Sequence, residues 1–237
     1  MNMWDGLIEE IRNQQACLDQ LIAAWKSDYT AAGGTIHCGR GCRECCNLAV
    51  NATLTEAVAI AGALTEVQAE ALQRYVGHLL EAVGRVGDIK GYLRMHRQEL
   101  GYCPLLDDEG ACGIYGVRPL SCRALLSTMP SRWCTVDFSA LSAGEKQNFM
   151  EGLDRGAVAF PSHYAAFSRD TGQELEARAG RLMSEKFGFS IYGSMPVLVD
   201  LVRRHGLAET CGHGYDATIA LLSATGADHP FLLQVER

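Results

Sequence analysis

The sequence contains no apolar run approaching about 18 residues, so no transmembrane helix is expected. Its opening stretch, Met1 to Glu10, has neither the basic nor the apolar segment of an export signal, and none is expected there. No block of lysine and arginine stands out beyond Arg94-Met-His-Arg97 and Arg203-Arg204-His205, and the formal net charge is −7. The basic footprint that nucleic acid or an anionic membrane requires is missing, and neither is expected as a partner. A Ser-His-Asp triad and a phosphate-binding loop are absent in any convincing context. Gly39 and Gly41 neither follow a strand nor complete G-x-G-x-x-G, which removes a dinucleotide fingerprint. No repeat, low-complexity tract or linker divides the chain, and the strand–helix alternation of an α/β sheet is missing.

What is present is an ordinary globular composition, 48% hydrophobic over 237 residues, enough to bury a real core. The pattern predicts one mainly α domain over 1–237, irregular and helical with a small β-hairpin. Residues 36–134 form its cysteine-cluster core, and 135–237 a helical C-terminal extension of unknown role. Residues 3–27 read as an amphipathic helix with Leu7, Ile11, Leu18, Leu21, Ile22 and Trp25 on one side and Cys17 as a small buried residue. Thr53-Leu-Thr-Glu56 and Thr65-Glu-Val-Gln68 are capping-box signatures, opening helices to about 61 and 83. Residues 88–100 read as helix. The turn Asp107-Asp108-Glu109-Gly110 between two short apolar pieces predicts a β-hairpin over 103–115. Arg118-Pro119 opens a short helix to about 126, and Ser142 to Glu145 and Thr171 to Glu174 read as helix starts. Residues 194–205 read as a helix stopped by Gly206, and 216–223 as another short helix.

The ten cysteines carry the chemistry. A cytoplasmic chain, as expected here, keeps its thiols reduced, which turns the expectation from disulfides to metal or redox chemistry. Cys38, Cys42, Cys45 and Cys46 fall within nine residues, and Cys103, Cys112, Cys122 and Cys134 form a second group. On a regular helix the first four would lie within an arc of roughly 100°. Gly39 and Gly41 weaken such a helix, so a glycine-relaxed loop entering a helix near Cys42 is expected, with backbone N–H groups free to bond sulfur. Neighbouring Cys45 and Cys46 would diverge on a helix, suiting two metals or one bridge. Cys38-x3-Cys42-x2-Cys45 is also the spacing of radical S-adenosylmethionine enzymes. Glu44 stands where those enzymes usually carry an aromatic, and their βα-barrel pattern is absent, so that match is set aside.

Cys38-x3-Cys42-x2-Cys45-Cys46, Cys103-Pro-Leu-Leu, Cys112-Gly-Ile-Tyr115 and Arg118-Pro119-Leu-Ser-Cys122-Arg123 together resemble the YkgJ-type cysteine-cluster family over about residues 36–134. That family is described as zinc- or iron-chelating. The resemblance implies metal ligation by Cys38, Cys42, Cys45, Cys46, Cys103, Cys112 and Cys122, with Cys134 as a later member. Eight thiols exceed the four that one zinc or one 4Fe-4S cluster takes. Two sites, one cluster with spare thiols, or a thiolate-bridged polynuclear site all remain open. Zinc sites usually come as paired C-x2-C knuckles and only Cys42/Cys45 has that spacing, so an iron–sulfur cluster is favoured over zinc. Arg118 and Arg123 bracket Cys122 and are expected to offset the charge of the thiolates.

The functional expectation is a metal-binding cysteine-cluster protein for redox, sensing or metal handling, with a protein redox or substrate partner that remains unknown. The alternatives are structural zinc, or a cluster-dependent modifying enzyme similar to flagellin lysine N-methylases, which carry a similar cysteine block. Tyr115 is expected in the core beside the site. His37, Glu44, the acidic turn at 107–109 and Cys211-Gly-His213 are expected to be a solvated histidine, solvated charges and a turn with a packed cysteine.

Overall fold

A computed structural model describes residues 3–237. It is mainly helical, with one small sheet. Helix α1, Asp5–Ala31, buries Leu7, Ile11 and Leu18 but leaves Leu21 40% exposed. Cys17 is also exposed, because its place beside Leu18 turns it to the solvent side of the helix; it is not the buried residue expected.

Strand β1, Asn51–Thr53, runs directly into α2, Leu54–Ala61, where Thr53 and Glu56 form the expected capping box. A second box, Thr65 with Gln68, opens α3, Glu66–Val83. Such caps satisfy backbone N–H groups that the first turn leaves unpaired and contribute about 1 kcal/mol each. Asp88 caps α4, Ile89–Met95, which continues as a π-turn through Leu100. After the cysteine-rich loops come α5, Leu120–Ala124, and α6, Ala143–Glu151, the latter with a Ser142/Glu145 capping box.

Helix α7, Ala166–Phe187, contains Thr171 to Glu174 in its interior, so no helix starts there. The Thr171 hydroxyl bonds the Phe167 carbonyl one turn back at 2.8 Å and is spent inside the helix rather than capping one. Strand β2, Ser190–Ser194, leads into α8, Met195–His205, and Gly206, in left-handed backbone at φ +66°, ends it. Helices α9, Leu207–Cys211, and α10, Tyr215–Ala224, and strand β3, Leu233–Glu236, complete the chain.

The sheet, in the order β1-β2-β3 and antiparallel throughout, joins the segment after the first cysteine run to the C-terminal strands, with Asn51 opposite Ser194 and Ile191 opposite Val235. Gly193 is required at its centre: a Cβ there would meet the Leu232 carbonyl oxygen at 2.1 Å. The main core gathers Leu54, Ile60, Leu79, Phe189, Val197, Leu198, Val199 and Leu201, so that α8 is buried between α2 and α3. The expected hairpin over 103–115 is reduced to a turn with a single bridge, Leu106 to Cys112. The Asp107 carboxylate takes the amides of Glu109 and Ala111 at 3.1 and 2.7 Å, giving those backbone groups a local partner instead of a ladder.

Candidate metal centre

The first cysteine run is a loop turned by Gly41, at φ +89°, followed by one 3-10 turn, Glu44–Asn47. The Cys103 amide donates to the Cys46 carbonyl at 2.7 Å, which ties the second cysteine group to the first. Cys112 closes the acidic turn, and α5 presents Cys122. Placement of α5 depends on a charge far away in sequence. The fully buried Glu56 carboxylate, while capping α2, accepts the Leu120 amide at 2.7 Å through its other oxygen.

These segments enclose a cavity of about 290 Å³ lined by Cys42, Cys45, Cys46, Cys103, Cys112 and Cys122, with Leu48, Val50, Ile114 and Met195 as apolar walls. All six cysteines are half-buried and free. Cys45 and Cys46 sit side by side in the 3-10 turn, and both line the chamber. Among the described residues no three Cys, His, Asp or Glu side chains are grouped so as to hold one ion as they stand. The thiols line a chamber instead of closing on a point.

Electrostatics make the chamber a site for positive charge. Contact with Cys46, then burial, raises the Cys45 thiol pKa far above the usual value. Burial pushes Cys103 up to about 11, with Cys112 and Cys45 adding to it. Cys122 is raised well above its ordinary value by burial and then by the charges of Cys103, Cys45 and Cys112. Cys112 is also raised, by burial first. Deprotonating several of these thiols together is costly unless a cation sits among them, and soft sulfur donors suit zinc or iron. The donor set therefore fits a thiophilic metal.

Arg118 lines the chamber, and its charge acts against the raised pKa of Cys45, Cys112 and Cys122. Its guanidinium lies 4.1 Å over the Tyr115 ring, and its Nε is buried without a hydrogen-bond partner. Tyr115 is 45% exposed and belongs to the mouth, not to the core as expected. Arg123 does something different. Its guanidinium donates to the Arg118 and Gly116 carbonyls at 2.9 and 2.7 Å and pairs with Asp19, so it clamps the turn before α5 onto α1.

Cys38 and Cys134 stand outside the chamber lining. Cys38 Sγ accepts the Ser127 amide at 3.1 Å. Cys134 is buried, 3.5 Å from His163 Nε2, beside a second cavity of about 440 Å³. Burial pushes the Cys134 thiol up to about 11 and the His163 imidazole down to about 4. His163 carried no sequence signal, since it lies 29 positions beyond Cys134 in no recognisable motif. The same holds for Tyr192, which also lines the six-thiol chamber. His37 and the acidic turn are exposed, Glu44 is half-buried, and Cys211 is packed in the core.

Residues 37–148 match the CxxCxxCC family model, described as a "putative zinc- or iron-chelating domain". No curated protein and no solved structure matches the chain.

Proposed function

We propose, from the premise that residues 37–148 carry a CxxCxxCC metal-chelating domain, that the six-thiol chamber holds an iron–sulfur cluster serving redox, sensing or metal handling. The observation that carries this reading is the shape of the donor set: six thiols spread over the walls of one cavity of about 290 Å³. A structural zinc ion draws four ligands to about 2.1–2.3 Å from one point. A cavity this size has the volume of about ten liquid waters, and a polynuclear group ligated from several walls suits it better.

Such a cluster supplies one-electron transfer at a potential set by its surroundings. This chain's part is to hold and tune it. Four of the six thiols suffice as ligands, which leaves one of the neighbouring pair Cys45 and Cys46 free to exchange or bridge. Arg118 offsets negative charge from one wall, while Leu48, Val50, Ile114 and Met195 limit water. Tyr115, exposed at the mouth with the Arg118 guanidinium on its ring, marks where a protein redox or substrate partner would approach.

The test is iron, zinc and acid-labile sulfide per chain in protein purified without oxygen. About four irons with equal sulfide are expected for a 4Fe-4S cluster. Zinc in the chamber with no sulfide refutes the reading and makes the centre a structural one.

A further inference from the structure

Tyr192 lines two cavities: the six-thiol chamber, and a larger one of about 580 Å³ between α7 and the strands β2 and β3. The larger cavity contains no cysteine. We propose that it binds a small organic cation, a primary ammonium on a short apolar stem, whose charge pairs with the Glu176 carboxylate.

The walls come from two regular elements. One face of α7, from Gln173 to Ser184, forms the first. One face of the sheet forms the second: Ser190 and Tyr192 alternate along β2, with Glu236 and Gln234 opposite them on β3. Ala177 and Gly180 keep the helix wall short, and with Ile191 they give an apolar stretch for the stem.

The charge of the ligand follows from Glu176. Its Oε2 accepts the Tyr192 hydroxyl at 3.4 Å, whereas Oε1 is buried without a partner among the described residues. Among those residues no arginine, lysine or histidine forms an ion pair with it. Burial, and then the Glu56 charge from α2, push this carboxyl up to about 8; the Tyr192 hydroxyl of β2 and the Ser121 amide of α5 act the other way. A buried carboxylate with a second carboxylate near it is costly unless a cation answers it, and a cation in the cavity would. At the rim, exposed Arg181 and Arg237 are matched in sign by exposed Glu185 and Glu236, so the unbalanced charge lies inside.

A metal ion suits the cavity poorly. Hard cations take about six to eight oxygen ligands, and no three Cys, His, Asp or Glu side chains among the described residues are grouped to hold one. An ammonium has three donors, and the Ser190 hydroxyl and the Gln234 amide oxygen line the same space as the carboxyl. Near pH 7 the carboxyl carries its proton. Binding exchanges that proton for the ammonium: the O–H bond breaks, the oxygen keeps the electron pair, the proton passes to solvent, and no covalent bond to the ligand forms.

The experiment is calorimetry of n-butylammonium chloride with the full chain, in whatever metal state it is purified, beside sodium butyrate and n-butanol. Expected is saturable binding of the ammonium, about tenfold tighter at about pH 9 than at about pH 7, with close to one proton released per ligand at the lower pH and almost none at the higher. Glu176→Gln, which keeps the size and removes the charge, should lose the binding. Ala177→Leu, on the exposed side of α7, should weaken it by filling the cavity. Undiminished binding in either folded variant, equal binding of butyrate or butanol, or no saturable binding of the ammonium overturns the site. Should Glu176→Gln fail to fold, the pH dependence and proton release of the unaltered chain decide. None of these readings depends on what the chamber holds, so this site can fail while the cluster reading stands, and the reverse.

Discussion

Replacing Glu56 tests whether one buried carboxylate positions the metal centre. Its side chain is fully buried and accepts the Thr53 amide at 2.9 Å, the Thr53 hydroxyl at 3.0 Å and the Leu120 amide at 2.7 Å. Glu56→Ala leaves two backbone amides without their acceptor, at about 1–3 kcal/mol each, or about 2–6 kcal/mol together. Burial raises the pKa of this carboxyl, so removing it also relieves a desolvation cost, and the net loss should fall near the middle of that range. For a chain of this length about 1 kcal/mol shifts the melting temperature by about 2–4 °C, which places the expected fall at about 8–16 °C. Glu56→Gln keeps one acceptor oxygen and turns an NH2 group toward the other amide, so its fall should be about half as large. The assay is thermal melting by circular dichroism beside metal content, with exposed Cys17→Ser as a control that changes neither. Because the Leu120 amide begins the helix that carries Cys122, metal content should fall in the order of the melting temperatures. If Glu56→Ala melts within about 2 °C of the unaltered chain, the argument that this residue braces α5 is wrong.

Chelation should destabilise the protein, because the cysteines proposed as ligands, from 42 to 122 along the chain, line one chamber. At free metal about 1,000 times its dissociation constant the bound form gains about 4 kcal/mol. Stripping the metal should therefore lower melting by about 8–16 °C, and restoring it should reverse the loss. Arg118→Gln should make the reduction potential of the loaded protein more negative by tens of millivolts, as the added electron loses a nearby positive charge, while Arg118→Lys should keep most of it. An unchanged potential in voltammetry refutes the charge-offsetting role. The Glu176 carboxyl is pushed up to about 8, by burial first and then by the Glu56 charge. A folded value above the unfolded one gives stability that is full below about pH 4.3 and lost as pH rises through about 8. Melting temperature should fall between about pH 4.3 and about pH 8 and level off above it, and Glu176→Gln should flatten that slope.

The helices were legible wherever a local signal was spent locally. Thr53 with Glu56, Thr65 with Gln68 and Ser142 with Glu145 each form the capping box their spacing predicts. Thr171 to Glu174 has the same spacing and fails, because the surrounding turns are already helical and take the hydroxyl for themselves. The sheet gave no signal, since β1 is three residues long and β2 carries the glycine its neighbour demands. Spacing likewise cannot say which cysteines share a wall. Cys46 and Cys103 adjoin through one backbone hydrogen bond, whereas Cys38, at the head of the same run as Cys46, is taken aside by the Ser127 amide. Arg118 and Arg123 lie on either side of Cys122 in sequence, yet Arg118, in the turn before α5, lines the chamber, while Arg123, inside α5, pairs with Asp19.

The C-terminal residues contribute to the centre as well as to the core. The Met195 amide donates to the Val50 carbonyl at 2.9 Å, and β2 pairs with β1 immediately after the first cysteine run. Met195 and Tyr192 thereby become walls of the chamber, and the Tyr192 hydroxyl reaches Glu176 Oε2 on α7 at 3.4 Å. His163 stands against Cys134 from the same half of the chain. Each of these contacts involves a residue beyond 148, where the matched segment ends. The chamber's cysteines all lie within that segment, while residues beyond it supply the sheet partner, two walls of the chamber and the histidine that stands against Cys134. The proposed metal centre would therefore depend on the whole fold, and substitutions at 192 or 195 should be judged by metal content as well as by stability.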